Sequence, residues 1–63
     1  MTELQVTWKP RPGSWVRVAG RNGIFVVLYL DEARGLADLL LMDRVRVIEK
    51  DVAVEQLEEL QIP

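Results

Sequence analysis

Ile24-Phe25-Val26-Val27-Leu28-Tyr29-Leu30 is the stretch that decides the fold. Its seven consecutive apolar residues are rich in β-branched and aromatic types, carry no helix cap and are too few for a buried helix, so they predict a strand. Asn22-Gly23 stands just before it, and Asn-Gly is a strong hairpin signal because both residues tolerate positive φ. A strand is therefore expected on the N-terminal side. Trp15-Val16-Arg17-Val18 supplies it, since apolar and polar residues alternate with Val16 and Val18 on one face; the first strand is read as 14–19. Further upstream, Trp8-Lys9-Pro10-Arg11-Pro12 holds the backbone near polyproline II and removes two amide donors. Residues 1–12 read as an extended lead-in and 13–63 as the folded domain.

Downstream, Asp31-Glu32-Ala33-Arg34-Gly35 is a polar connection, followed by Leu36 to Met42 with Asp38 as its one charge. Leu and Ala favour helix, and 31–42 would make three turns. Against this, Gly35 would fall inside the helix and Leu39-Leu40-Leu41-Met42 would cover more than one helical face, so a third strand is the better reading. Asp43-Arg44 suggests a tight turn into a fourth strand, Val45-Arg46-Val47-Ile48-Glu49. Val54 and Leu57, three apart, fit one helical turn within 52–57, and 58–62 makes a last short strand. The core predicted from these faces is Val16, Val18, Phe25, Val27, Leu39, Leu41, Val45, Val47, Val54 and Leu57.

This order of four strands, a single helical turn and a closing strand, with Val54-Glu55-Gln56-Leu57-Glu58-Glu59-Leu60 at its end, resembles the SH3-like small β-barrel. The resemblance implies an all-β, five-stranded barrel with one short helical turn before the last strand. Unrelated functions share that barrel, so it selects none of them. Val45-Arg46-Val47-Ile48 followed by Val54-Glu55-Gln56-Leu57-Glu58 also looks distantly like the closing half of the plasmid-type dihydrofolate reductases, SH3-like barrels that bind folate and NADPH in a shared central pore. That family carries Val-Gln-Ile-Tyr on the strand, with Gln and Tyr facing the pore. Arg46 and Ile48 stand at those places here, so the polar recognition atoms are missing and that activity is not expected.

Composition narrows the function classes. At 63 residues the chain buries only about 60% of its unfolded surface, and without Cys or His it has no disulfide or imidazole to support it. Association is the remaining support. Thiolate or imidazole zinc is excluded, no calcium-loop spacing of acids is present, and neither metal nor cofactor is expected. The hydroxyls Thr2, Thr7, Ser14 and Tyr29 have no Cys or His beside them to form a nucleophile and base, so the chain reads as non-enzymatic. Eight Lys and Arg against ten Asp and Glu leave a net charge of −2, which disfavours nucleic acid. No long apolar run or basic leader occurs, and the expectation is a cytoplasmic protein with no membrane contact.

Three sets of residues are candidates for contact with something else. Trp8, Trp15 and Tyr29 could form an aromatic wall for a ligand, or simply pack the lead-in onto the domain. Arg17, Arg21, Arg44 and Arg46 could make a local basic strip for RNA or DNA, or cover apolar surface with their stems. The third set follows from the apolar excess: a two-faced strand needs apolar residues only at alternate positions, yet Ile24–Leu30 and Leu39–Met42 are apolar on both faces. With Phe25, Val27 and Tyr29 on one face, Ile24, Val26, Leu28 and Leu30 occupy the other. Val26, Leu28, Leu40, Met42 and Ile48 are thus an expected interface with a second copy or a protein partner, unless Leu4, Val6 and Trp8 fold back over them.

Overall fold

The computed structural model describes residues 8–60. They form an all-β unit of five antiparallel strands, β1 Trp15–Val18, β2 Phe25–Asp31, β3 Leu36–Leu41, β4 Val47–Ala53 and β5 Leu57–Glu59, with a 3-10 turn at Val54–Gln56 before β5. The strand order is β4-β3-β2-β1-β5, so β4 and β5 are the two edges and no ladder joins them. In a flat sheet of this order the edges would lie about 19 Å apart. The chain from Ala53 to Leu57 reaches at most about 14 Å, so the sheet must curl. Backbone hydrogen bonds fix the connecting turn at both ends: Val54 N–H donates to Gly35 O at 2.9 Å and Ala19 N–H donates to Gln56 O at 2.8 Å.

Curling gathers one face into a core. Val16 and Val18 of β1, Phe25 and Val27 of β2, Ala37 and Leu39 of β3 and Leu57 of β5 are buried, with Trp8, Leu30, Leu41, Val52 and Val54 packed around them. β3, an interior strand, forms because its alternate residues Ala37 and Leu39 enter this core while both its edges are hydrogen-bonded; no helix forms over 31–42. Val45 and Val47 do not belong to the core. The connection after β3 is longer than a tight turn, β4 starts at Val47, and the two valines are 72% and 41% exposed. Ala37, at the other end of β3 between Leu30 and Val52, is buried instead.

The β1–β2 connection also differs from the Asn-Gly hairpin. The chain reverses at Ala19-Gly20, where Arg21 N–H donates to Val18 O at 2.9 Å and Gly20 has φ +75°. Gly23 is needed for a different reason, since its φ is +105° and a Cβ there would stand 2.9 Å from Leu41 Cδ1. The extra length frees Arg21 to lie across the open end of the core. A Pro-Gly turn ends the lead-in, with Ser14 N–H donating to Arg11 O at 2.8 Å and Arg11 N–H to Ser14 Oγ at 3.0 Å. The expected tail positions Leu4 and Val6, and Ile62 at the end of the last strand, lie outside the described residues.

Two bulges flank Asp38. Val27 pairs with Leu39 but Tyr29 pairs with Asp38, leaving Leu28 as the extra residue of β2. On the other side Leu39 pairs with Glu49 and Ala37 with Val52, so Lys50 and Asp51 both oppose Asp38. Asp51 has φ +58°, and its N–H donates to Asp38 Oδ1 at 3.0 Å. A bulge inserts one residue and so inverts the faces beyond it. Tyr29 therefore faces outward and Leu30, opposite buried Ala37, faces the core, the reverse of strict alternation from Phe25.

Candidate functional site

The face opposite the core carries an apolar row that crosses four strands. Trp15 pairs with Val26, Val26 with Leu40 and Leu40 with Ile48, so the four side chains share one level of the outer face. Trp15 and Ile48, at the ends, are 49% and 58% exposed; Val26 and Leu40, between them, are half-buried. Leu28 (44%) and Tyr29 (59%) extend the patch beside Val26. Met42, whose N–H donates to Ile24 O at 2.9 Å, extends it on the other side. The structure thus brings Val26, Leu28, Leu40, Met42 and Ile48 together on one surface and adds Trp15 and Tyr29 to it.

Trp8 and Trp15 line a shallow hollow with Ser14, Glu59 and Leu60, beside β5. Tyr29 is not part of it, so the aromatic wall divides in two. Trp8 is half-buried and packs against the core, while Trp15 presents its indole outward. A second hollow lies between the lead-in and the β2–β3 connection, lined by Lys9, Pro10, Arg11, Leu30, Glu32, Gly35 and Val54, two cations and one acid among them.

Of the four arginines, Arg21 is paired within the chain. Arg21 reaches across the core mouth to Glu49, with Nη2 to Oε2 at 3.1 Å and Nη1 to Oε1 at 3.3 Å, and its guanidinium lies 5.5 Å from the Phe25 ring centroid. Hydrogen bonding and charge attraction from Glu49 raise the Arg21 pKa, and the same contacts hold the Glu49 carboxyl below its ordinary value. Arg17 stands opposite Glu58 in the β1–β5 ladder, and Arg44 and Arg46 lie in the exposed segment before β4. The Arg21–Glu49 pair has no signal in the sequence, because its members are 28 residues apart and come together only through the curl of the sheet.

Among the described residues no group of three or more acidic, Cys or His side chains is placed to hold a metal, and no helix is long and apolar enough to cross a membrane. Compared with protein families, curated proteins and solved structures, the chain matches none.

Proposed function

We propose that this chain is a non-enzymatic self-association module: an SH3-like barrel that pairs with other copies, or with a protein partner, through the outer face of β2 and β3. The observation that carries the reading is the unbroken row Trp15–Val26–Leu40–Ile48, apolar on a face the core does not use. The barrel half of the reading is supported by the element order, by the short edge-to-edge connection and by the hydrogen bonds that tie it to Gly35 and Ala19. The net charge of −2 and the engagement of Arg21 by Glu49 weigh against nucleic acid.

The face is four strands wide and about five residues long, or about 15–20 Å each way, so a dimer covers about 450–800 Å² in total, in the range of weak, transient pairing rather than of stable specific interfaces. Micromolar association is expected. Light scattering over a concentration series tests it: a mass that rises with concentration in the wild type and stays at one chain in Leu40→Lys supports the reading. A wild type that stays at one chain throughout, and a Leu40→Lys variant that associates as the wild type does, each speak against it.

A further inference from the structure

We infer that Asn22-Gly23 is a site of spontaneous covalent modification, at which the Asn22 amide is lost as ammonia and a carboxylate takes its place beside Arg21.

The dipeptide has the composition of a two-residue hairpin, a turn that would hold both residues at positive φ. The fold does not use it that way. The chain already reverses at Ala19-Gly20, where Arg21 N–H donates to Val18 O at 2.9 Å. Gly23 has φ +105°, but Asp51 is the one non-glycine residue with positive φ among the described residues, so Asn22 lies outside the left-handed region. On the far side Met42 N–H donates to Ile24 O at 2.9 Å. Between these two ties Asn22 and Gly23 are exposed, and neither the Asn22 side chain nor the Gly23 N–H has a hydrogen-bond partner among the described residues.

Both reacting groups are therefore open to solvent. Asparagine is among the thermolabile side chains, and Gly23 has no side chain to shield its nitrogen from a neighbouring group. Hydroxide takes the Gly23 amide proton, and the nitrogen attacks Asn22 Cγ, forming an N–Cγ bond and a tetrahedral oxyanion. Collapse of the oxyanion breaks the Cγ–Nδ2 bond; Nδ2 leaves as ammonia with a proton from water, which returns the hydroxide. The product is a cyclic imide. Water then opens it at either carbonyl. Breaking the N–Cγ bond restores the ordinary backbone with an aspartate at position 22. Breaking the bond from the nitrogen to the main-chain carbonyl carbon leaves the chain running through Cγ, an isoaspartyl link whose carboxylate is the former main-chain carbonyl. Nothing is oxidised or reduced, and the co-reactants are water and hydroxide alone.

The new charge has a defined neighbour. Position 22 adjoins Arg21, whose guanidinium is paired with Glu49 across the core mouth. A carboxylate there competes with Glu49 for Arg21 and also repels Glu49, and both effects reduce what the pair contributes, more so at low salt.

Asn22 is the chain's one asparagine, so the intact mass reports the site directly. The folded protein is held at mildly alkaline pH and resolved by anion exchange, beside a capped peptide spanning 19–25. The expected result is two more acidic species, each heavier by the difference between amide and acid, formed at no less than about a tenth of the peptide's rate and absent from Asn22→Gln, whose imide would need a larger ring. Slower conversion means that the fold protects the dipeptide, and acidic species that form equally in Asn22→Gln place the chemistry elsewhere; either overturns the inference. For the charge, Asn22→Asp should narrow the stability difference between the protein with Glu49 and its Glu49→Gln variant at low salt. An unchanged difference overturns the competition for Arg21.

Discussion

Leu39 is wholly buried at the centre of the sheet, flanked by Val27 on one side and Glu49 on the other. Leu39→Ala leaves a cavity that a curled sheet closes poorly, and the expected loss is about 2–5 kcal/mol, a large part of the stability of a domain this size; the shift of the urea midpoint measures it. Glu49, its neighbour, makes a prediction in pH. Because Arg21 lowers the folded-state pKa of Glu49, the pair stabilises the fold above the ordinary carboxylate value, and that contribution is lost as pH falls through the lowered value. The stability difference between wild type and Glu49→Gln should therefore favour the wild type at neutral pH and shrink on acidification, and added salt should reduce it too. Equal acid sensitivity of the two proteins would leave the pair without energetic weight.

At the scale of the elements, the paired bulges around Asp38 set which side chains reach the outer face. Asp51 is the residue on which the β4 bulge depends, since its backbone occupies the left-handed region and its N–H is held by Asp38. Asp51→Gly keeps that conformation available and should leave stability within about 1 kcal/mol of the wild type, whereas Asp51→Val forces a β-branched residue into it and should cost about 1–2 kcal/mol. Thermal melts of the two variants check this. If Asp51→Val is as stable as Asp51→Gly, the bulge is not held by that backbone. Straightening the β2 bulge would send Tyr29 toward the core and Leu30 toward water, so the bulges are part of how the apolar outer face is built.

For the whole molecule, the curled sheet has a core of seven buried apolar residues among the described ones, and a core that small gives only a few kcal/mol. Covering the outer row should add to it, each apolar side chain contributing about 1.5–3 kcal/mol when fully buried. Folding and association are thus coupled on this reading, and the melting temperature should rise with protein concentration. Leu28→Lys with Leu40→Lys should give a monomer that melts lower and independently of concentration. A concentration-independent wild-type melt would separate folding from association.

Residue pattern alone determined the stretches that form β1, β2 and β3, the Gly-terminated connection before Leu36, the helical turn before the last strand and the surplus of apolar residues over the available core, but not the run of β4 to Ala53, because alternation, turn chemistry and composition act over a few neighbouring residues. Val16, Val18, Phe25, Val27, Leu39 and Leu57 were legible as core for the same reason. The reversal at Ala19-Gly20 in place of Asn22-Gly23, the exposure of Val45 and Val47, the inversion of Tyr29 and Leu30, and the reach of Arg21 to Glu49 were decided only by the tertiary structure. Each depends on where a strand meets its neighbour: register and bulges are set by contacts between residues far apart in the chain, and one inserted residue reverses every face that follows it.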